Sequence, residues 1–213
     1  MKVSLNWLRD YVHINLPYQE LTEKLTMIGL EATDVQVIGA QWENCFTGEV
    51  VSIDPHPNAD RLCLATVSLG SEQCTVVCGA PNIAAGQKIA FAKVGASLVN
   101  PYEGKVQELK PARIRGVRSE GMVCSEKELG LSDNHEGILL LAEDAPVGVP
   151  LAEYKGDVVF DITVTPNRPD CLNMIGIARE AAALNGGSIR LPEVRYEENI
   201  PSAAYLIEIE IED

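Results

Sequence analysis

The sequence predicts an α+β protein of more than one domain, in which a five-stranded β-barrel is inserted in a small, mainly helical domain. Three observations lead to this prediction. Apolar residues recur at helical spacing near both ends of the chain. Short β runs, separated by turns rich in glycine and proline, fill the middle. Neither helical end is long enough to bury its own apolar stripe, which favours packing of the two ends against each other.

The first 38 residues are predicted to be mostly helical. Ser4 can cap a short helix in which Leu5 and Leu8 follow the helical spacing. Pro17 suits the first turn of a second helix, YQELTEKLTMI, which ends near Gly29. The segment EATDVQVIG then alternates, and this pattern indicates a strand or a connector.

Residues 39–150 are predicted to form the barrel. Five runs are candidates for its strands: CFTGEVVSI, RLCLATVSL, QCTVVC, QKIAFA and EGILLLA. Turn sequences such as DPHPNAD, LGSE, GAPNIAAG and NPYEG separate them. An oligonucleotide-binding (OB) barrel is one of the few closed arrangements of five short strands, and a β-sandwich is the alternative that the pattern leaves open.

Residues 151–190 are again partly helical. DVVFDITVTP predicts a strand that ends at Pro166, and CLNMIGIAREAAALNGG predicts an apolar helix with Asp170 as its N-cap. We therefore assign residues 1–38 and 151–190 to one discontinuous domain. Residues 191–213 are acidic and end in the alternating run YLIEIEIED. We expect this run to begin a further domain, so that the chain is part of a longer protein.

The charge of the chain excludes general attraction to polyanions, because 17 Lys+Arg stand against 31 Asp+Glu and the net charge is -14. Any nucleic-acid site must therefore be local. One basic segment meets this condition, and its planar guanidinium groups suit bidentate contact with phosphate. The alternative is a solvated surface in which these cations pair with Glu103, Glu108 and Glu120. The cations of this basic segment are Lys105, Lys110, Arg113, Arg115 and Arg118.

Three further residues complete the predicted RNA-contacting set. Ser119, Glu120 and Met122 follow the basic segment directly. They offer a hydroxyl, a carboxylate and backbone amides beside the arginines. A turn that shapes the barrel explains the same residues equally well, so the sequence leaves both roles open.

No catalytic or metal-binding constellation is visible in the sequence. His56 lies in HPNADR and Cys78 in CGAPNI, and both contexts are typical of turns. Neither a Walker loop nor a G-x-G-x-x-G loop is present. The six cysteines lack C-x-x-C spacing, which favours buried free thiols over a zinc site. The N-terminal MKVSLNWLRDYV indicates neither a signal peptide nor a membrane span, so we expect a cytoplasmic protein without a membrane partner.

Several of these segments resemble a known family. HPNADRLCLATV, CGAPNI, KVGASL and IRGVRSEGMVCSEKELGL are similar to the tRNA-binding OB module that occurs in several aminoacyl-tRNA synthetases and as free tRNA-binding proteins. The flanks VSLNWLRDYV, LTMIGLEATDV and FDITVTPNRPDCLNMIGIAREAAAL resemble the N-terminal part of the bacterial phenylalanyl-tRNA synthetase β-subunit family. In that family the OB module interrupts a small helical domain.

The resemblance implies a function for the longer protein. It implies a cytoplasmic α2β2 heterotetramer that attaches phenylalanine to its tRNA with ATP and magnesium, with the aminoacylation site in the α subunit. It also implies an editing domain beyond residue 213. We predict no catalytic residue, metal ligand or cofactor in this chain itself. The alternatives are a free-standing tRNA-binding module or chaperone, and a barrel that serves subunit contact.

Overall fold

The computed structural model describes residues 1–196 together with Ile207, Glu208 and Glu210. Most of the predicted strand YLIEIEIED, and with it most of the domain assigned to residues 191–213, lies outside the described residues. The secondary-structure elements, in chain order, are β1 (Lys2–Ser4), α1 (Leu5–Tyr11), α2 (Tyr18–Met27), β2 (Glu31–Ile38), β3 (Cys45–Pro55), β4 (Cys63–Ser68), β5 (Gln73–Cys78), β6 (Lys88–Lys93), β7 (Ser97–Val99), β8 (Val106–Glu108), β9 (Ala112–Ile114), β10 (Val117–Ser119), β11 (Gly121–Val123), α3 (Leu151–Lys155), β12 (Asp157–Thr163) and α4 (Met174–Asn185).

The segments before and after the middle of the chain meet in one three-stranded antiparallel sheet with the order β1-β12-β2. Val3 of β1 lies opposite Phe160 of β12. Helices α1, α2 and α4 supply the rest of a shared core, in which Leu8, Leu21 and Ile177 are completely buried. Strand β1 has three residues, which is too short for its alternation to be detected in the sequence.

The helix caps agree with the sequence at the start of α1 and differ at α4. The Ser4 hydroxyl accepts a backbone N–H from the first turn of α1, as predicted. Helix α4 ends at Gly186, which adopts a left-handed φ of 69°. The prediction of Asp170 as the N-cap of α4 is wrong, because the Asn173 side chain performs that role. Asp170 lies in a short 3-10 turn before the helix, where its carboxylate pairs with Arg168.

The middle of the chain forms a nearly closed, five-stranded antiparallel barrel with the order β11-β6-β3-β4-β5. The first and last strands of this order meet next to Glu120. Its N–H donates to the Thr75 carbonyl at 3.1 Å, and its carboxylate accepts the Thr75 N–H at 3.1 Å. Four of the five predicted strands are confirmed, because CFTGEVVSI, RLCLATVSL, QCTVVC and QKIAFA coincide with β3, β4, β5 and β6.

The fifth predicted strand, EGILLLA, is wrong. This run joins the barrel by a single bridge between Leu140 and Ile89, and its buried side chains fill two separate parts of the core. The fifth strand is β11 instead. A Cβ at Gly121 would lie 2.5 Å from the Ala92 carbonyl oxygen, so β11 needs glycine to approach β6. A three-residue strand that begins with glycine has no pattern that the sequence analysis could detect.

The connection between β6 and β11 carries two small hairpins, β7–β8 and β9–β10. It also contains every residue of the basic segment. Among the described residues, the longest helix has 12 residues, and none combines the length and apolarity needed to cross a bilayer.

Candidate nucleic-acid interface

The arginine hairpin consists of β9, β10 and the two-residue turn between them, residues 112–119. Ile114 and Val117 are paired next to the turn. The turn residues Arg115 and Gly116 have φ values of 47° and 92°, which is the signature of a type I′ turn. Such a turn matches the twist of the flanking strands and sets their register.

The register places two arginines on the same face. Arg118 lies directly opposite Arg113 in the antiparallel pair, so both side chains project from one side of the hairpin. Like charges in directly opposed positions destabilise a strand pair. An anion between the two guanidinium groups would relieve that repulsion.

All five cations of the basic segment are exposed. Lys105 lies between β7 and β8, Lys110 lies between β8 and β9, and the three arginines belong to the hairpin. Within residues 1–196, none of the five makes a salt bridge, although cations elsewhere do so with nearby carboxylates. The alternative of a basic surface neutralised by Glu103, Glu108 and Glu120 therefore has no support in these contacts.

A loop between β3 and β4 supports the turn of the hairpin. The Asn58 side chain donates to the Arg115 carbonyl at 3.0 Å. Nε2 of His56 lies 3.2 Å from the Ile114 carbonyl, and Nδ1 accepts the Asn58 N–H at 3.1 Å. Side chains of the HPNADR turn thus hold the hairpin through hydrogen bonds to its backbone carbonyls. These contacts do not involve the arginine side chains.

These contacts also define the state of His56. Because Nδ1 accepts a backbone N–H and a carbonyl can only accept, both hydrogen bonds fit the tautomer that carries a proton on Nε2. The ring is buried, and its two nitrogens are used. His56 is therefore a positioning residue, in keeping with the interpretation of HPNADR as a hydrogen-bonded turn.

Ser119 and Glu120, which the sequence analysis included in the RNA-contacting set, are engaged within the protein. The buried Ser119 hydroxyl donates to the Gly121 carbonyl at 2.9 Å and accepts the Val77 N–H at 3.1 Å. The Glu120 carboxylate binds Thr75 as described above. Both residues fasten the hairpin to β5, and their hydrogen bonds account for their side chains without a ligand.

Met122 differs from these two residues. Its side chain is half-buried, packs on the barrel core and lines an open cleft on the surface. The structure thus groups the eight predicted residues into five exposed cations, two side chains that close the barrel, and one apolar wall of a cleft.

The cysteines are free thiols, and four of the six are buried. Burial raises the pKa of Cys45 to about 11 and raises the pKa of Cys78 as well. Cys78 Sγ also accepts the Ala80 N–H within the CGAPNI turn. A thiol in this state is a weak nucleophile at neutral pH, so Cys78 is a structural residue.

One group of side chains in the described part of the chain has the composition of a metal site. The ligand atoms of Asp170, Cys171 and Glu180 lie within 4.8 Å of one another. The Arg168 guanidinium lies among them, 2.9 Å from the Asp170 carboxylate and 2.6 Å from that of Glu180. These hydrogen bonds lower the pKa of Asp170 to about 2. The Arg168 guanidinium therefore already occupies the place of a cation. Its ion pair with Glu180 fastens the TPNRPDCLN segment to α4.

A polar cluster near Met122 was missed by the sequence analysis. The Ser125 hydroxyl lies 2.9 Å from Nδ1 of His135 and 2.9 Å from the Glu128 carboxylate, which also accepts the Ser125 N–H. The serine lies between the other two side chains, so this arrangement lacks the order of a hydrolase triad. The S-x-x-E spacing of Ser125 and Glu128, which is typical of a capping box, is the sequence pattern that indicates part of this cluster.

Comparison with known proteins identifies the family. A family model described as a putative tRNA binding domain matches residues 46–150. The chain is 48% identical to the phenylalanine–tRNA ligase β subunit of Dehalococcoides mccartyi, over 91% of this chain and 24% of that protein. It is 42% identical to the corresponding subunit of Syntrophus aciditrophicus, over 100% of this chain and 26% of that protein. The chain belongs to the phenylalanine–tRNA ligase β-subunit family.

This membership confirms the resemblance inferred from TPNRPDCLN and the OB-type motifs. The chain spans about a quarter of the length of its curated relatives. Among solved structures, it is similar to a MetRS-related protein from Pyrococcus horikoshii, with 23% identity over 49% of this chain and 85% of that protein. The TM-score of that match is 0.35, which is too low to support an inference.

Proposed function

We propose that this chain is the non-catalytic, tRNA-contacting part of a phenylalanyl-tRNA synthetase β subunit. The observation that carries the proposal is the arginine hairpin. Three guanidinium groups stand on a rigid type I′ hairpin, exposed and without carboxylate partners in the described part of the chain, although the protein is strongly acidic. The hairpin lies in the connection between the fourth and fifth strands of the barrel. In OB barrels, this connection and the one between the first two strands bind oligonucleotides.

The acidity of the rest of the chain fits this role. Phosphate contacts supply affinity without sequence information, and a surface that is basic everywhere would bind RNA indiscriminately. Because a local excess of cations is concentrated in the basic segment, tRNA is attracted there and repelled by the acidic remainder. Lys105 and Lys110 extend the positive surface beyond the hairpin, and Met122 contributes an apolar contact. We assign Ser119 and Glu120 to positioning the hairpin.

The test is the salt dependence of binding to phenylalanine tRNA, measured by fluorescence anisotropy. Three phosphate contacts imply a slope of log affinity on log salt of about -2 to -3. Replacing Arg113, Arg115 and Arg118 with glutamate should weaken binding and flatten this slope. Because the three side chains are exposed, the stability should change by no more than about 0.5 kcal/mol per site.

A matched control separates the hairpin from total charge. Replacing the exposed Arg9, Lys155 and Arg179 with glutamate makes the same change, two units at each of three sites, so both variants carry a net charge of -20. The control should retain the slope. If the hairpin variant melts normally and binds tRNA with the wild-type affinity and slope, the arginines do not contact phosphate. The barrel would then be better explained as a surface for contact with another subunit.

The wider assignment follows from the family. As part of a phenylalanyl-tRNA synthetase, the chain would act in a cytoplasmic α2β2 assembly whose α subunit binds ATP and magnesium. Within residues 1–196, the one candidate set of metal ligands does not fit magnesium, since the Arg168 guanidinium already lies among its carboxylates. We therefore place no cofactor on this chain. The free-standing tRNA-binding module is less well supported, because the relatives match both flanks as well as the barrel.

We also propose that the barrel is an insertion in a discontinuous domain formed by residues 1–38 and 151–190. The pairing of β1 and β2 with β12 supports this assignment, as does the core that α1 and α2 share with α4.

A further inference from the structure

A cleft of about 380 Å³ lies beside the arginine hairpin, on the surface where β5 and β11 meet. Its floor is formed by Val77 and Met122, and its rim carries Tyr102, Glu128 and His135. The volume falls within the range of pockets that bind small molecules or single groups of a larger ligand. The polar cluster of Ser125, described above, forms one wall.

Tyr102 is the most unusual residue of this rim. Its side chain is 89% exposed, so the ring is hardly buried within the protein. The loop that carries it is nevertheless well defined, because the Asn100 side chain accepts the N–H groups of Tyr102 and Glu103 at 2.9 and 3.1 Å. The ring stands edge-to-face with His135, at 6.0 Å between centroids. An aromatic ring that is positioned but unburied is typical of a stacking platform for single-stranded nucleic acid.

The cleft borders the arginine hairpin. Val77 and Met122 also line a smaller cavity of about 120 Å³, whose other wall is formed by Ala112 and Ile114 of β9. Lys110 also lines this cavity, whereas Arg113 and Arg118 project from the opposite face of the hairpin. A strand whose phosphate lies on Lys110 can therefore extend a neighbouring base across Met122 toward Tyr102.

The charge of the cleft decides which part of a nucleotide can enter. The carboxylates of Glu128 and Glu136 line it, and they disfavour a phosphate. They favour a base edge that presents N–H groups. Glu128 is held in place, because one of its oxygens accepts two hydrogen bonds from Ser125 at 2.7 and 2.9 Å. Guanine presents two adjacent donors, N1–H and the 2-amino group, which match a carboxylate in the bidentate manner of a guanidinium.

We propose that this cleft binds one unpaired base of the RNA, with a preference for guanine, by stacking on Tyr102 and by hydrogen bonds to the carboxylates of Glu128 and Glu136. This inference rests on the proposed function, because the basic segment, through Lys110, must first hold the neighbouring phosphate. It adds base selectivity to a contact that is otherwise independent of sequence.

The experiment uses the 213-residue chain and labelled pentanucleotides at low salt. UUGUU is compared with UUAUU and with UUIUU, in which inosine lacks only the 2-amino group. UUGUU should bind about tenfold more tightly than UUIUU, since a hydrogen bond to a carboxylate is lost. Tyr102→Ala should weaken UUGUU binding about 5- to 10-fold. Tyr196→Ala removes another exposed tyrosine and should have no effect. Glu136→Gln should reduce the preference for guanine.

The chain's three histidines provide an independent readout by NMR. His135 lies in the cleft, His56 lies behind the hairpin, and His13 belongs to the flanking domain. Binding of UUGUU should shift the ring signals of His135 and leave those of His13 unchanged.

The outcomes distinguish this inference from the proposed function. If all three pentanucleotides bind equally, with wild-type affinity in Tyr102→Ala and shifts at His56 alone, the base site is refuted while the phosphate contact stands. If no pentanucleotide binds and the arginine replacements leave tRNA binding unchanged, both are refuted.

Discussion

The turn of the arginine hairpin offers a sharp test of the proposed interface, through the substitution Gly116→Ala. Gly116 has φ 92°, a conformation in which a Cβ costs about 1–2 kcal/mol. The added Cβ meets no close neighbour, because the nearest heavy atom, in the Asn58 side chain, is 3.5 Å away. The cost is therefore backbone strain. For a protein of this size, it corresponds to a fall in Tm of about 2–8 °C.

The same strain should affect tRNA binding. If the turn leaves the I′ conformation to relieve the strain, β9 and β10 splay, and Arg113 no longer faces Arg118. The loss of one phosphate contact should make the salt slope less steep by about 0.7–0.9. Fluorescence anisotropy at several salt concentrations measures the slope, and a thermal melt measures the stability.

Gly86→Ala is the matched control. Gly86 has φ 86° and open space around the position of a Cβ, so the strain is the same, but the residue lies in the turn before β6. It should lower the Tm by a similar amount and leave the slope unchanged. The reasoning is refuted if Gly116→Ala has the wild-type slope, or if both substitutions change the slope equally.

Four further predictions concern the rest of the chain. Ser119→Ala should lower the free energy of unfolding by about 1–2 kcal/mol in chemical denaturation, because the partly buried Val77 N–H loses its acceptor; an unchanged midpoint would contradict this. Arg168 lowers the pKa of Asp170 to about 2. The pairing therefore stabilises the folded protein fully above pH 3.8, the ordinary pKa of the carboxyl group, and this stabilisation is lost as the pH falls toward about 2. Asp170→Asn should therefore lose less stability than the wild type over that interval, and equal losses in pH-dependent melts would argue against the pairing. Replacing residues 39–148 with a short Gly-Ser linker should leave a helical protein that unfolds cooperatively, as followed by circular dichroism; a molten product would count against the discontinuous domain. The purified chain should give no ATP–pyrophosphate exchange with phenylalanine, and exchange above that of a mock preparation would overturn its assignment as non-catalytic.

The sequence by itself determined the parts of this protein that depend on local patterns. Strands β3 to β6 are short runs rich in apolar and β-branched residues and are bounded by turn residues, so their positions could be predicted. The cap at Ser4 and the stop at Gly186 follow from local backbone chemistry. The basic segment was also visible in the sequence, because a local excess of charge needs no coordinates.

The tertiary structure decided the features that depend on distant neighbours. EGILLLA has the composition of a strand, but the ladder on this edge of β6 is formed by β11, which pairs with residues 91–93 and whose Gly121 allows the close approach. A 3-10 turn at Pro169–Cys171 precedes α4, so the helix begins at Met174 and Asn173 is its cap, while the Asp170 carboxylate pairs with Arg168.

The roles of the predicted site residues also depended on folding. Ser119 and Glu120 stand next to the arginines in sequence, but their side chains bind β5, more than 40 positions earlier in the chain. Tyr102 and His135 are distant in sequence and meet at the rim of one cleft. A sequence pattern records which groups are available, whereas hydrogen bonds between distant segments decide which of them remain free to bind a ligand.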